Sequence, residues 1–323
     1  MNQHARDLLR IDPAAVADEI CANMRMAISR RLRRQGAIVA ISGGIDSSVT
    51  AALAVRALGK ERVVGLMMPE RHSSPDTAEL SKLLADSFGI RTEYENISGI
   101  LESVGCYSRL DAAYRLAIPE YGDGWKAKIV LPSVIDAPSM RYFSVVALAP
   151  DGREVRKRLS SPAYLQIVAA TNFKQRVRKM LEYYHADRNN YAVCGTPNRL
   201  EYDQGFFVKL GDGAADLKPI AHLYKSQVYE LAEHLGVPEE IRSRPPTTDT
   251  YSMPQSQEEF YFSLPYAQMD VCLYGRDNNM SAAEVGALIG YTAEQVERVY
   301  ADIDQKRRTS EYLHAAPVLV SDA

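Results

Sequence analysis

The 323-residue chain has four cysteines, and no two of them are close in sequence. Cys21, Cys106, Cys194 and Cys272 form neither a CxxC pair nor a Cys/His ligand pattern, which argues against a disulfide framework or a structural zinc site and for a reducing compartment. No uninterrupted apolar run reaches the length of a membrane span, and residues 1–12 hold no signal-peptide-like apolar stretch. A cytoplasmic protein with no membrane partner is expected. The net charge is only −3, so the basic excess of a non-specific nucleic-acid binder is missing too. Two local basic clusters, at 30–34 and 153–158, read as solvated helix or hairpin faces. The chain also lacks the GxxxxGK[ST] loop, whose lysine reaches terminal phosphates. Internal repeats and low-complexity linkers are absent.

Apolar patterning supplies the frame. Residues 16–32 carry helical spacing behind an Asp12-Pro13 start signal, and 37–41 read as a short buried strand. A helix over 46–58 closed by Gly59, a buried strand over 62–68, a helix over 75–88 closed by Gly89 and a strand over 91–97 follow. This alternation predicts an α/β fold, a doubly wound parallel sheet with helices on both faces. The stretch from about 105 to 160 breaks the rhythm. Alternating residues around Pro150-Asp151-Gly152 signal an inserted β-hairpin with a helical lead-in. A long helix over 162–184, a strand over 191–195 and helices over 225–235, 257–273, 281–289 and 292–308 complete one expected domain, 1–323.

Chemistry concentrates first in Ser42-Gly43-Gly44-Ile45-Asp46-Ser47-Ser48, between a buried strand and a helix. Paired glycines let backbone N–H groups approach an anion, and the helix start adds its own free N–H groups and dipole. The hydroxyls of Ser42, Ser47 and Ser48 suit phosphate oxygens, and Asp46 suits an accompanying magnesium ion. Such a segment is similar to the pyrophosphate-binding loop of the N-type ATP pyrophosphatases, which include NAD synthetase, GMP synthetase, asparagine synthetase and several tRNA-modifying enzymes. By that resemblance the protein would split ATP between its α and β phosphates and adenylate a substrate oxygen.

A later, ordered set of segments narrows the resemblance to the NAD synthetase family. Asn172-Phe173-Lys174-Gln175-Arg176-Val177-Arg178 comes first, then Gly195-Thr196-Pro197-Asn198-Arg199-Leu200-Glu201. Gly205-Phe206-Phe207-Val208-Lys209 leads into Gly211-Asp212-Gly213-Ala214-Ala215-Asp216, followed by Leu223-Tyr224-Lys225 and Arg244-Pro245-Pro246-Thr247-Thr248-Asp249. The resemblance implies an adenine nucleotide alpha hydrolase-like fold and amidation of deamido-NAD by ammonia through an adenylate, with AMP and pyrophosphate released. It implies a homodimer, with free ammonia or a separate glutaminase supplying nitrogen. Glu201 would join Asp46 at magnesium, since hard cations between phosphates take carboxylate oxygens. Thr196 and Thr247 offer hydroxyls to ATP, and Lys225 a point charge for its phosphates. By resemblance Arg176, Lys209 and Asp216 serve the dinucleotide. Two departures stand out. The family's C-terminal His-Lys pair is replaced by Ser310-Glu311-Tyr312-Leu313-His314, and the acidic segment after Asp249 by Tyr251-Ser252-Met253-Pro254-Gln255-Ser256-Gln257-Glu258-Glu259. They leave open a related ATP pyrophosphatase that amidates another carboxylate.

Overall fold

In a computed structural model, which describes residues 3–135, 141–245, 250–262 and 264–320, the chain opens with helices α1 (Gln3–Leu8) and α2 (Pro13–Met26). Asp12 caps α2 by accepting from the N–H groups of Ala14 and Ala15 at 3.0 and 3.2 Å, with Pro13 in the first turn. The expected helix runs on past α2 as a π turn, Ala27–Arg31. Next come β1 (Ala37–Ala40), α3 (Ile45–Leu58), β2 (Val63–Met67), α4 (Pro75–Phe88) and β3 (Arg91–Tyr94). Helices α5 (Ser98–Ser103) and α6 (Cys106–Arg115) lead to β4 (Lys126–Val130), β5 (Ser144–Leu148) and β6 (Glu154–Arg158). Then follow α7 (Ser161–Asn189), β7 (Ala192–Cys194), α8 (Arg199–Gln204), α9 (Lys225–His234) and α10 (Glu239–Arg242). The chain ends in α11 (Tyr266–Asp277), α12 (Ala282–Ile289) and α13 (Ala293–His314).

Four strands form a parallel sheet in the order β3-β2-β1-β7, with Ile38 in register with Val64 on one side and Val193 on the other. Successive side chains of β1 leave on opposite faces. Ala37 and Val39 pack with Ile20, Leu53 and Leu231 from α2, α3 and α9, while Ile38 packs with Tyr107 of α6 and Val177 of α7. Both faces are therefore covered, which is why β1 reads as a continuous apolar run. The chain leaves β1 toward β2 on one side and returns to β7 on the other. That reversal opens a crevice beyond the carboxyl ends of β1 and β7.

The expected hairpin is present as β5–β6, turning at Gly152 (φ +85°), with Asp151 Oδ1 accepting from Arg153 N–H at 2.9 Å. It gains a third strand, since β4 pairs antiparallel with β5. Its inward residues, Ala127, Ile129, Val145 and Ala147, pack on Leu110 of α6 and Ile167 of α7. Arg156 and Arg158 stay exposed, so the basic cluster is a solvated face, as are Arg30, Arg31, Arg33 and Arg34. The helix expected over 257–273 is broken. A π turn, Glu258–Phe262, precedes Pro265, and α11 starts only after it. Proline crowds the backbone of the residue before it away from the helical region.

Candidate active site

Residues 42–48 turn from β1 into α3. Gly43 holds φ at +68°, and a Cβ there would lie 2.7 Å from Leu80 Cβ, so conformation and space both demand glycine. Ser47 Oγ donates to the Gly44 carbonyl at 2.9 Å and accepts from Ser42 N–H at 3.3 Å. Ser48 Oγ donates to the same carbonyl at 2.8 Å. Gly44 occupies the N-cap of α3 and has no side chain to engage the first N–H groups, which favours an anion at this helix start.

Asp46, in the first turn of α3, meets residues far away in sequence. Its Oδ1 accepts from Asn198 Nδ2 at 3.0 Å, and its Oδ2 pairs with Lys225 Nζ, which is almost wholly buried at the start of α9. Burial opposes the Lys225 charge, but Asp46 and Glu201 outweigh it and hold the ammonium above its ordinary pKa. Glu201 stands in the first turn of α8. Asn198 and Glu201 form a capping box, with Asn198 Oδ1 accepting from Glu201 N–H at 3.1 Å and Glu201 Oε2 from Asn198 N–H at 3.2 Å. Burial, and then the Asp46 charge, push the Glu201 carboxyl up to about 8. Two carboxylates whose charges disfavour each other in a buried crevice suit a cation. Among the described residues no group of three or more His, Cys, Asp or Glu could hold a metal ion. A carboxylate pair alone fits magnesium, which keeps waters and substrate phosphate oxygens as its remaining ligands.

These groups face a cavity of about 730 Å³, the size of a small-molecule site. Ser42, Gly43, Gly44, Asp46 and Ser47 line it, as do Thr196, Glu201 and Lys225. Ser48 is buried behind the loop and supports it through Gly44. Thr247 lies outside the described residues. Arg176 and Lys209 also line the cavity, and Arg176 Nε donates to the Lys209 carbonyl at 3.3 Å. Lys209 Nζ donates to the carbonyls of Tyr312 and Ala315 at 2.6 and 3.1 Å, at the end of α13. Asp216 is not among the lining residues. Its Oδ2 accepts from Val193 N–H at 2.8 Å and its Oδ1 from the Tyr183 hydroxyl at 3.3 Å.

The family model of NAD synthase matches residues 16–113 and 140–314. The chain belongs to the NAD synthase family. It is 56% identical to the NH3-dependent NAD+ synthetase of Rhizobium meliloti (strain 1021) over 314 residues, covering 97% of this chain and 94% of that one. With the NH3-dependent NAD+ synthetase of Thermotoga neapolitana it shares 36% over 246 residues, 76% of this chain and 79% of the relative. Among solved structures, the NH3-dependent NAD synthetase of Campylobacter jejuni superposes with a TM-score of 0.61 at 21% identity, covering 96% of this chain and 100% of that one. The NMN synthetase of Francisella tularensis does so with a TM-score of 0.64, also at 21% identity, covering 96% and 99%. At such identities the structural likeness shows the α/β fold alone. The family model leaves 114–139 unmatched, a stretch that includes β4.

Several residues of the site carry no role in the motif reading. Asn198 touches both carboxylates, Asp46 through its side-chain amide and Glu201 through its backbone N–H, and its Asn-x-x-Glu spacing is the local signal that exposes it. Asp270 has no local signal. From α11 it accepts from the N–H groups of Lys225 and Ser226 at 3.2 and 2.7 Å and so seats the start of α9, while burial pushes its carboxyl up to about 6. Lys174, on α7, is buried against Glu70 Oε1 at 2.8 Å and holds the Thr250 carbonyl at 2.7 Å. Its charge and hydrogen bond overcome the burial that would raise Glu70, so that carboxyl stays below its ordinary value.

Proposed function

We infer that this protein is an ammonia-dependent NAD synthetase, a carbon–nitrogen ligase that adenylates the nicotinate carboxylate of deamido-NAD and amidates it. One observation carries this reading within the fold. The loop 42–47, the Asp46–Lys225–Glu201 cluster and the cations Arg176 and Lys209 all line one cavity, so the groups suited to ATP and those suited to an anionic acceptor share one site.

The loop N–H groups and the Ser42 hydroxyl bind the β and γ phosphates, Ser47 and Ser48 hold the loop through the Gly44 carbonyl, and Lys225 adds a fixed positive charge as the α–β bond opens. Asp46 and Glu201 would hold the magnesium ion, which neutralises charge on the departing pyrophosphate. Asn198 fixes the direction of both carboxylates. The Arg176 guanidinium and Lys209 ammonium orient the dinucleotide phosphates, so that the nicotinate carboxylate attacks the α-phosphorus in line. Asp216 would be reached by a part of the acceptor that extends past the cavity. Ammonia then attacks the adenylated carbonyl and AMP departs. No protein nucleophile is required, in keeping with Cys194, whose thiol is pushed up to about 12 by burial.

We further propose a cytoplasmic homodimer fed by free ammonia or a separate glutaminase. The four cysteines are all buried and free, which suits a reducing compartment, and among the described residues no helix is long and apolar enough to cross a membrane. Met180 and Tyr184, exposed on α7, are apolar surface that a second copy would cover.

Pyrophosphate release from MgATP and ammonium, with and without deamido-NAD, tests the function, with NAD followed in parallel. NAD and pyrophosphate appearing in step are expected. Pyrophosphate that forms with nicotinate mononucleotide but not with deamido-NAD would overturn the acceptor while leaving the ATP chemistry in place.

A further inference from the structure

Strand β4 is an edge strand, yet its outer edge is covered. The chain that covers it is not a strand but residues 250–257. Ser252 Oγ accepts from Ala127 N–H at 2.9 Å, Met253 N–H donates to the Ala127 carbonyl at 3.4 Å, and Gln255 Nε2 donates to the Ile129 carbonyl. Lys128 Nζ reaches the Pro254 carbonyl at 3.2 Å. One end of this stretch is held by Lys174 at Thr250, and Tyr251 is buried in the core under the inserted sheet. At the other end Gln257 Nε2 donates to Glu201 Oε1 at 3.3 Å. The Tyr266 hydroxyl donates to Gln257 Oε1 at 2.6 Å, so the amide can present only its N–H side to the carboxylate.

We propose that residues 250–257 form a strap through which the inserted sheet sets the position of Glu201, with Gln257 as the positioning residue. Asn198 N–H fixes one oxygen of Glu201 and Gln257 fixes the other, so the carboxylate is held from both sides. The sheet then has a task at the site although β4 supplies no lining residue to the cavity. The inference rests on Glu201 being a magnesium carboxylate.

The test is manganese in place of magnesium, titrated by electron paramagnetic resonance with α,β-methylene-ATP present, alongside kcat, the KM values for ATP and deamido-NAD, and the thermal midpoint. Glu201→Gln should nearly abolish tight manganese binding. Gln257→Met should weaken it roughly tenfold, the order expected for losing a hydrogen bond to a charged group. Ser252→Ala acts at β4, away from the metal, and should weaken it about two- to threefold through the shared network, with the deamido-NAD KM unchanged. If Gln257→Met and Ser252→Ala bind manganese as the parent does while Glu201→Gln does not, the strap is packing only and the inference falls. A lowered thermal midpoint in Ser252→Ala with parental manganese affinity has the same meaning. Parental manganese binding by Glu201→Gln would remove the metal assignment itself, and the strap's role with it.

Discussion

The hydroxyls of residues 42–48 find their partners within five residues of chain: Ser42 at Ser47, and both Ser47 and Ser48 at the Gly44 carbonyl. Asp46 in the same loop reaches Asn198 across 152 residues and Lys225 across 179, while Glu201 meets Gln257 across 56. One wall of the crevice is thus self-contained, and the other exists only once the sheet, α8, α9 and the strap have assembled. A local loop depends on its own conformational freedom, chiefly at glycine. An assembled charge cluster depends on each member balancing the others, because a buried charge without its partner is costly.

The largest effect is expected where the two walls meet. Asp46→Asn should lower pyrophosphate release by on the order of a thousandfold, since it removes charge from the proposed magnesium site and from Lys225 together. Its circular dichroism spectrum should stay that of the parent, with Glu201 still beside the ammonium. Near-normal turnover would break the assignment of Asp46 to the ATP chemistry. Gly43→Ala strikes the local wall alone. The left-handed conformation and the 2.7 Å approach to Leu80 Cβ force the loop to shift, and binding of α,β-methylene-ATP should weaken about tenfold by calorimetry. Unchanged binding would mean that the loop tolerates displacement and that its glycine serves only the turn.

Arg176→Ala sharpens the contrast from the acceptor side. The KM for deamido-NAD should rise about tenfold with the KM for ATP little changed, as for loss of one charge-assisted contact to phosphate. A defect confined to ATP would contradict its role.

The smallest effect on turnover belongs to His72, and it should appear in stability. Its ring is half-buried and its Nδ1 lies 3.0 Å from Lys174 Nζ; partial burial, and then the Lys174 charge, depress its pKa from 6.5 to about 4. Because the unfolded chain binds this proton first, the stability it contributes is complete above pH 6.5 and is lost as pH falls toward 4. The loss is at most about 3 kcal/mol at the low end of that window. His72→Gln should flatten the fall of the thermal midpoint between pH 7 and 5. An equally steep fall would assign the acid sensitivity to other groups.

Much of the core was legible because its signals are short. The apolar run at 37–41, the Asp12-Pro13 start and the closing glycines Gly59 and Gly89 each act within a turn or a strand, so they mark the parallel sheet and its helices without tertiary information. The third strand of the insert was not legible. The turn at Pro150-Asp151-Gly152 announces β5 and β6, whereas β4 and β5 are separated in sequence by residues 131–143, too long a span for a two- to five-residue hairpin signal. The break before α11 was written in Pro265 but masked by helical spacing on either side of it.

By itself the sequence determined the crevice's chemistry: a glycine loop able to cradle phosphates, and a Glu201, Lys225 and Arg176 drawn from ordered segments. Only the tertiary structure decided which of them act together. It brought Asp46, Lys225 and Glu201 into one cluster, left Asp216 bonded to Val193 outside the cavity lining, and ran the strap from β4 to Gln257. The reason is range. Glycine conformation, helix capping and apolar period are set within a few residues, whereas the direction of a buried carboxylate is set by whatever hydrogen-bond donors the completed fold places around it.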